Sequence, residues 1–435
     1  RNMYREKMKE LEEWKNSKDR MPLIIRGARQ VGKTWIMKEF GKNNYKKVAY
    51  VNFDGNTRMV RLFEGDFDID RIIQGLKIET QVDIDSENTL LIFDEIQEVP
   101  KALTSLKYFC ENARQYHILA AGSLLGVALH EGTSFPVGKV DFIDLYPLNF
   151  QEFLIAIGEE KLVNILNEKD WDLINIFKDK FISYLREYYF IGGMPAAVNK
   201  YIETKDYKKV RNVQLKLLQA YEEDFSKHAP NDIVPRLKML WNSIPAQLAK
   251  ENKKFIYGLI KEGARAKEYE LALSWLIDCG LVYKIDRVTK PNIPLIAYQD
   301  TSAFKLYVLD IGILGAMTRI NEKILLEGNE IFTEFKGSFT EQFVLTELKS
   351  NKDIPIFYWS AEKATAEIDF VIQLGTNVIP IEVKASENLQ AKSLKTFIEK
   401  YKTTKNVRTS MSNYRKEEKL INIPLYSIGN IEKLI

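Results

Sequence analysis

The sequence contains little cysteine and little histidine. Only two cysteines, Cys110 and Cys279, occur among 435 residues, so neither a disulfide framework nor a thiolate zinc site is available. The three histidines, His117, His130 and His228, show no metal-ligand spacing with one another or with cysteine. The sequence therefore predicts neither a zinc enzyme nor a disulfide-stabilised secreted domain.

Long apolar segments are also missing. The longest apolar runs, such as Thr89–Phe93, are far shorter than the roughly 20 residues that cross a bilayer. Hydrophobic residues make up 45% of the chain and charged residues 28%, which is typical of a soluble globular protein. We therefore expect a cytoplasmic protein with no membrane partner and enough residues for several domains.

Positive charge is concentrated near the C-terminus, although the net charge of the chain is only +3. The stretch Lys384–Lys419 holds ten Lys and Arg residues against four Asp and Glu residues, an excess of six. Such a surface either faces nucleic acid or is simply solvated. Composition leaves both alternatives open.

A glycine-rich loop between an apolar segment and a helical one indicates a phosphate-binding site. Met21–Arg26 predicts a buried parallel strand, and Trp35–Phe40 has helical spacing. The residues between them match the pattern G-x-x-x-x-G-K-S/T: Gly27, Ala28, Arg29, Gln30, Val31, Gly32, Lys33 and Thr34. The amides of such a loop surround phosphates at a helix N-terminus, Lys33 adds positive charge, and the Thr34 hydroxyl ligates Mg²⁺.

A second apolar strand ends in two carboxylates. Asp94 and Glu95 follow the run Thr89–Phe93 directly, and acids at the end of a core strand need a cation or a water molecule as partner. We predict that Asp94 holds Mg²⁺ through its water shell and that Glu95 is the general base for the attacking water. Together the two motifs predict ATP and Mg²⁺ as cofactors and ATP hydrolysis as the activity.

Three further strands complete a nucleotide-binding domain over residues 1–150. The strand Tyr116–Ala121 ends in Gly122 and Ser123, at the point where a parallel strand reaches the edge of its sheet. Ser123 is therefore a candidate sensor of the γ-phosphate, and the alternative is an ordinary turn serine. The other two strands are predicted at Lys46–Phe53 and Val140–Leu145.

Two modules are predicted between this domain and the C-terminal region. Residues 151–225 have helical spacing and predict a lid over the nucleotide. Residues 226–325 resemble a winged-helix module, in which the helix Lys267–Ile277 precedes the strand Leu281–Arg287. That helix carries two glutamates and almost no arginine, which favours packing or protein contact over DNA binding.

Residues 326–435 contain three acids and a lysine whose order and spacing bring them towards one another. Glu341 lies near the start of a helix, and Asp369 precedes Glu382 by thirteen residues on successive strands. Strand alternation places Glu382 and Lys384 on one face. The three acids and Lys384 could therefore converge. The alternative is an exposed edge strand with alternating charges.

The chain resembles a large group of prokaryotic AAA-type ATPases, in which a P-loop domain precedes a C-terminal region catalogued as a domain of unknown function. The segments that carry the resemblance run along nearly the whole chain: IIRGARQVGKT, LIFDEIQ, AAGS, LYPLNFQEFL, IGGMP, KLYVLDIGIL, EIDFVI and IPIEVKAS. In similar proteins a Gly-Arg pair precedes LYPL, whereas this chain has Gly138 and Lys139. Lysine lacks the planar fork of arginine, so no arginine finger is assigned.

The C-terminal segment also resembles the PD-(D/E)XK nucleases. The predicted fold class is therefore α/β, with a P-loop AAA-type parallel-sheet domain, a helical lid, a winged-helix-like module and a C-terminal restriction-endonuclease-like α/β domain. The resemblance implies Mg²⁺-dependent cleavage of nucleic acid, in which Asp369 and Glu382, with help from Glu341, hold Mg²⁺ and Lys384 positions or deprotonates the attacking water.

Two functional hypotheses follow from these motifs. In the first, the nucleotide state of the ATPase controls a C-terminal nuclease-like domain that acts on or binds nucleic acid, with DNA as the partner. In the second, the ATPase is a regulatory switch whose inactive nuclease-like fold binds a protein partner. The acidic winged-helix segment and Lys139 favour the second hypothesis, whereas the C-terminal acids and Lys384 favour the first.

Overall fold

The chain folds into two compact units. One unit comprises Arg5–Tyr146 with Asp278–Leu281, and the other comprises Arg1–Tyr4, Pro147–Ile277 and Val282–Ile435. The computed structural model describes residues 3–123, 136–250, 253–326, 333–350, 352–363, 365–385 and 392–435. Within these ranges, no helix has the length and apolar character that a bilayer crossing requires. The division into four domains stays a prediction.

The first unit contains a five-stranded sheet whose strands are all parallel, in the order β2-β3-β4-β1-β5. The strands are β1 (Leu23–Arg26), β2 (Lys47–Asn52), β3 (Thr89–Asp94), β4 (His117–Gly122) and β5 (Asp141–Asp144). The helices are α1 (Lys7–Asn16), α2 (Lys33–Asn44), α3 (Thr57–Glu64), α4 (Ile69–Thr80) and α5 (Pro100–Asn112). The predicted parallel α/β sheet is confirmed.

Strand β3 is the buried centre of this packing. All six of its residues are buried, which explains the unbroken apolar run Leu90–Phe93 within it. Phe53, Phe63, Phe93 and Phe109 pack with tilted or edge-on rings, at centroid distances of 5.4–6.4 Å. Because every strand runs the same way, the segments that follow β1, β3 and β4 all start at one edge of the sheet.

The second unit contains an eight-stranded mixed sheet, in the order β12-β13-β11-β10-β9-β8-β6-β7. Its strands are β6 (Val282–Val288), β7 (Gln299–Val308), β8 (Ile356–Ser360), β9 (Glu367–Leu374), β10 (Asn377–Val383), β11 (Val407–Ser410), β12 (Arg415–Lys416) and β13 (Ile421–Pro424). Strands β6 and β7 form an antiparallel pair, and β6 also pairs in parallel with β8. The strands of the predicted winged-helix module are therefore part of the same sheet as the C-terminal strands.

Helices make up most of the rest of the second unit. Those before β6 are α6 (Phe150–Ala156), α7 (Glu160–Asn167), α8 (Trp171–Ile176), α9 (Lys178–Ile191), α10 (Pro195–Thr204), α11 (Tyr207–His228), α12 (Val234–Ala249) and α13 (Ala266–Asp278). Those after β7 are α14 (Ile311–Thr318), α15 (Glu322–Leu326), α16 (Thr333–Lys349), α17 (Lys392–Tyr401) and α18 (Ile431–Leu434). The helical spacing of residues 151–225 thus corresponds to six helices.

Three of the segments that carry the resemblance meet at one buried junction. The Gly193 amide donates to Asp310 Oδ1 at 2.7 Å, and the Gly193 carbonyl accepts from the Leu148 amide at 2.7 Å. A Cβ atom on Gly193 would lie 2.0 Å from the Leu148 carbonyl oxygen. Burial raises the pKa of Asp310 to about 6. The segments LYPL, IGGMP and LDIGIL therefore build a packing junction, in which IGGMP connects α9 with α10.

We expect Gly193→Ala to lower the free energy of unfolding by about 1–3 kcal/mol, the usual cost of overpacking a close contact. Gly337→Ala is the matched control, because a Cβ atom there meets nothing within 4 Å and because alanine is favoured over glycine inside a helix. Chemical denaturation followed by circular dichroism measures both changes. Equal stability of Gly193→Ala and the parent would contradict the role of the junction.

Candidate functional site

The loop after β1 is shaped by glycine. A Cβ atom on Gly27 would lie 2.5 Å from the Leu145 carbonyl oxygen, and Gly32 has a φ of 103° just before α2, in the left-handed region that favours glycine. No side chain in the described chain caps the first turn of α2. The amides of this turn are therefore available to an anion. Within the loop, Ala28 and Val31 are buried, whereas Arg29 and Gln30 are exposed.

Lys33 is buried under this loop. Its Nζ donates to the carbonyl oxygens of Gly27 and Ala28 at 2.8 Å each, and burial lowers its pKa to about 8. Both acceptors are neutral, so a phosphate oxygen would be a stronger partner for the same ammonium group. A bound phosphate would also favour the charged form of Lys33, because an opposite charge offsets the effect of burial.

Thr34 and Asp94 meet where Mg²⁺ is predicted. Thr34 Oγ1 donates to Asp94 Oδ2 at 2.5 Å, and Asp94 Oδ1 accepts from the Glu95 amide at 3.0 Å. Asp94 is buried. A hydroxyl in contact with a buried carboxylate is a set of hard oxygen donors of the kind that Mg²⁺ prefers. The residues present therefore fit the ion.

Glu95 follows Asp94 directly and has the features expected of a general base. Its backbone is left-handed, with a φ of 53°, so the chain turns sharply at the end of β3. Burial raises the pKa of its carboxyl, and Gln97 Nε2 donates to its Oε2 at 2.6 Å. An oriented carboxylate with raised proton affinity suits proton abstraction near neutral pH. Gln97 was not predicted from the sequence, although it ends the quoted segment LIFDEIQ.

Tyr50 is a second residue that the sequence motifs do not identify. Its hydroxyl donates to Asp94 Oδ2 at 2.7 Å, so this oxygen accepts from both Thr34 and Tyr50. Tyr50 lies on β2, whose parallel register with β3 sets Asn52 opposite Asp94. Tyr50 precedes Asn52 by two residues, so this register brings its hydroxyl within reach of the Asp94 carboxylate.

Two further predicted positions lie in the same unit. Ser123 follows β4 directly and is half-buried, at the sheet edge that also holds the end of β1. Lys139 Nζ pairs with Glu111 at 3.6 Å, so this lysine has a carboxylate partner within its own unit. The sensor role of Ser123 stays a prediction.

In the second unit, three of the four predicted C-terminal residues lie close together. Strands β9 and β10 pair antiparallel, and the Val383 amide donates to Asp369 Oδ2 at 2.8 Å. This bond places Asp369 beside the end of β10, where Lys384 Nζ pairs with Glu382 Oε1 at 3.2 Å. Glu382 is buried, and burial raises the pKa of its carboxyl.

Glu341 has different partners. Its Oε2 pairs with Lys253 Nζ at 2.7 Å, and its Oε1 pairs with Lys305 Nζ at 3.4 Å and accepts from the Tyr307 hydroxyl. Burial alone would raise the pKa of Glu341, but the two lysines outweigh this effect and hold the pKa below its usual range. Lys305 also pairs with Glu367. Glu341 therefore serves as the buried counter-ion of two lysines.

This network was missed at the sequence level. Lys305 and Tyr307 alternate with apolar residues on β7 and so share one face of the strand. That alternation was the available signal, but their partner Glu341 lies on α16. The network also acts on Asp369, because desolvation and the negative charge of Glu341 together raise the pKa of the Asp369 carboxyl.

The C-terminal acids fit a cation only in part. Glu382 Oε2 is buried and has no hydrogen-bond partner within the described ranges, which leaves one oxygen beside Asp369 for a metal ion. Both oxygens of Glu341 are already occupied by cationic or hydroxyl donors. In the part of the chain that the structure covers, no group of three His, Cys, Asp or Glu side chains has a metal-binding arrangement.

Comparison with protein families divides the chain into three matched parts. Residues 19–154 match a family described as an AAA domain. Residues 182–324 and 336–428 match two families described as domains of unknown function, DUF8612 and DUF4143. Comparison with curated proteins gave no match. The first matched part is an ATPase-like P-loop domain, as its motifs predict.

Two solved structures align with much of the chain. The Walker-type ATPase PABY2304 of Pyrococcus abyssi has 14% identity over 73% of this chain and 96% of its own, with a TM-score of 0.45. Drosophila ORC bound to DNA has 15% identity over 72% of this chain and 94% of its own, with a TM-score of 0.27. The nuclease-like and winged-helix-like assignments stay predictions.

We expect Tyr50→Phe to slow ATP hydrolysis up to about tenfold, because a hydrogen bond to a charged group contributes roughly 1.5–3 kcal/mol and Tyr50 is partly solvated. ATP affinity should change less than about twofold, since the partner of Tyr50 is Asp94 rather than the phosphate loop. Tyr45→Phe is the control, because it removes a hydroxyl bonded to His117 at 2.6 Å, at the opposite end of β4. Equal turnover by both variants in a phosphate-release assay would contradict a role for Tyr50.

Proposed function

We propose that this chain binds ATP with Mg²⁺ and hydrolyses it, and that its nucleotide state controls a C-terminal nuclease-like domain that acts on nucleic acid. The observation that carries the ATPase proposal is the hydrogen bond between Thr34 and Asp94. It joins the first turn of the helix after the phosphate loop to the acidic end of β3, which are the two halves of a nucleotide and Mg²⁺ site.

The phosphate loop supplies the binding groups. Amides of the loop and of the first turn of α2 surround the β- and γ-phosphates, and the Lys33 ammonium moves from the carbonyl oxygens of Gly27 and Ala28 to phosphate oxygens. Thr34 and Asp94 hold Mg²⁺. When bound, the ion draws charge from the phosphates and so stabilises the transition state.

The acidic edge supplies the proton acceptor. Glu95 takes a proton from the attacking water, and its raised pKa makes it a more effective base than an exposed glutamate. Gln97 keeps the carboxylate in place through its hydrogen bond to Oε2. Ser123, at the end of β4, contacts the γ-phosphate and senses whether it is present.

For the C-terminal region we propose a narrower ligand set than the sequence predicted. Asp369 and Glu382 hold Mg²⁺, and Lys384 orients the water that attacks a phosphodiester. Support comes from the buried, unpartnered Glu382 Oε2 and from the bond that fixes Asp369 beside β10. Glu341 acts as the counter-ion of Lys253 and Lys305 instead of as a ligand.

A second candidate function is a regulatory ATPase whose C-terminal domain binds a protein partner and does not cut. It is favoured by the ion pair between Lys384 and Glu382, because the proposed water-orienting lysine and the proposed metal ligand bind each other. It is also favoured by the two lysines on Glu341, which turn one of the predicted ligands into part of the fold.

We expect Lys33→Ala to weaken ATP binding by at least about tenfold, because a buried cation beside the phosphates is lost. Glu95→Gln should retain ATP affinity and slow hydrolysis by about a hundredfold or more, because an amide cannot accept the proton. Lys42→Ala, at an exposed position near the end of α2, is the control. Calorimetric titration measures ATP affinity, and a phosphate-release assay measures the rate of hydrolysis. Unchanged affinity and turnover in both variants would contradict the ATPase proposal.

The nuclease proposal is tested on single-stranded, nicked, linear duplex and four-way-junction DNA in Mg²⁺ or Mn²⁺, with and without ATP. We expect cleavage by the parent and by Asp353→Asn, which changes an exposed carboxylate, but a loss of about a hundredfold or more in Asp369→Asn and Lys384→Ala. ATP should change the rate of the parent and not of Lys33→Ala. No cleavage of any substrate, with ATP turnover intact, would support the regulatory candidate.

A further inference from the structure

The second unit contains a cleft that neither proposed function uses. Its volume is about 620 Å³, within the range of pockets that take small organic ligands or parts of larger ones. The walls come from three places in the chain: the turn after β6, the turn after β8, and the end of α17. The cleft is therefore built by parts of the chain that are distant in sequence.

Positive charge is the first feature of the cleft. Lys290, Lys363 and Lys400 line it, one from each of the three segments, and all three side chains are exposed. In the part of the chain that the structure covers, no ion pair joins any of them to a carboxylate. Among the lining residues that the structure describes, Glu362 is the one acidic residue. The cleft thus has an excess of positive charge in a concave surface, which concentrates an anionic ligand.

An aromatic wall is the second feature. Tyr401 is half-buried and lines the cleft together with Trp359. The two rings lie 5.8 Å apart, and Phe397 supports Tyr401 from behind at 4.9 Å. A ring fixed in this way offers a planar surface on which a nucleobase can stack, at a small cost in side-chain entropy.

The wall opposite is held rigid by an arginine. Arg287 Nε donates to Ser360 Oγ at 2.8 Å and to the Ser360 carbonyl at 3.1 Å, and Arg287 Nη1 pairs with Asp300 at 3.5 Å. The bonds to Ser360 fasten β6 to β8, and the ion pair with Asp300 joins β6 to β7. Arg287 is therefore a structural part of the wall, and the exposed lysines are the groups that can reach a ligand.

The aromatic wall of the cleft lies on one face of β8. Successive residues of β8 point to opposite faces of the sheet. Tyr358 faces Lys305, whose Nζ lies 4.5 Å from the Tyr358 ring centroid, whereas Trp359 belongs to the apolar cluster around Phe397 on the other face. The aromatic wall of the cleft therefore lies on the face of β8 opposite to Tyr358.

From these observations we propose that the cleft binds single-stranded nucleic acid. Phosphates of the strand contact Lys290, Lys363 and Lys400, and one base stacks on Tyr401. A lysine-lined groove with an aromatic platform is the combination that unpaired strands require. A duplex keeps its bases stacked on one another and so could not use the aromatic wall. Lys400 belongs to the positively charged stretch Lys384–Lys419, so this proposal gives one lysine of that stretch a ligand.

The test is a fluorescence-anisotropy titration of the full chain with labelled oligo-dT of twelve nucleotides, in EDTA and without ATP. Under these conditions neither cleavage nor nucleotide hydrolysis contributes. We expect the triple variant Lys290→Gln, Lys363→Gln, Lys400→Gln to bind at least about tenfold more weakly, and the slope of log K against log salt to become shallower by about 2, since each lysine contact contributes roughly 0.7.

The matched control is the triple variant Lys208→Gln, Lys209→Gln, Lys216→Gln, which removes the same charge from exposed positions on α11. It should bind oligo-dT like the parent. Tyr401→Phe should retain binding because the ring remains, whereas Tyr401→Leu should lose about tenfold. ATP turnover without DNA should be equal in the parent and in both triple variants, which separates this proposal from the ATPase.

Four results would overturn the proposal. The first is equal binding of oligo-dT by the two triple variants. The second is tighter binding of a duplex than of the single strand. The third is equal affinity for dTMP and for the oligonucleotide, which would make the ligand a free nucleotide. Displacement of oligo-dT by poly-glutamate of equal charge at equal concentration would likewise show a general anion surface and contradict the role of Tyr401.

Discussion

The hydrogen bond between Thr34 and Asp94 depends on how the central strands of the first sheet are ordered. Thr34 begins the helix after β1 and Asp94 ends β3, and β4 lies between these two strands. The contact must therefore reach across the end of β4. The residues that stand there, Ala121 opposite Asp94 and Gly122 opposite Arg26, are small enough to leave the space open. The nucleotide site is thus a consequence of parallel strand order combined with small side chains on the strand in the middle.

The second unit is held by buried charge as well as by apolar packing. Lys305 is fully buried, and it is compensated by Glu341 and Glu367. Removal of one member of such a group leaves a buried charge without a partner, which typically costs about 3–5 kcal/mol. These pairs therefore constrain the fold around Asp369. Burial and the charge of Glu341 raise the pKa of the Asp369 carboxyl, and Lys305 offsets part of that rise. The acids of the C-terminal site therefore differ. Among the described residues, Glu382 has an oxygen without a hydrogen-bond partner, whereas both oxygens of Glu341 have partners.

The site residues that could be predicted from the sequence are those whose roles follow from the order of residues within a short segment. A strand, a turn and a helix in succession mark Lys33 and Thr34, and an apolar strand that ends in two acids marks Asp94 and Glu95. These four residues could therefore be assigned to a nucleotide site without knowledge of the fold. Asp369, Glu382 and Lys384 were also predicted to converge, because alternation on adjacent strands is a local property. Four of the residues that were missed contact partners in distant parts of the chain: Tyr50, Lys253, Lys305 and Tyr307. Strand register and helix placement fix those contacts, and neither has a signal in a single sequence. The joining of β6 to β8 in one sheet was missed for the same reason. Gln97, by contrast, lies two residues from its partner Glu95 and was missed because no motif identifies it.

The central claim is that Thr34 and Asp94 form a Mg²⁺ site for bound ATP. The most direct measurement is a calorimetric titration of the parent and of Asp94→Asn with ATP, in the presence of Mg²⁺ and in its absence. The parent should bind ATP at least about tenfold more tightly with Mg²⁺, because an ion held by Thr34 and Asp94 would offset the negative charge of the phosphates. Asp94→Asn should bind ATP with little dependence on Mg²⁺. The same Mg²⁺ dependence in both proteins, or no binding of ATP by the parent, would contradict the claim.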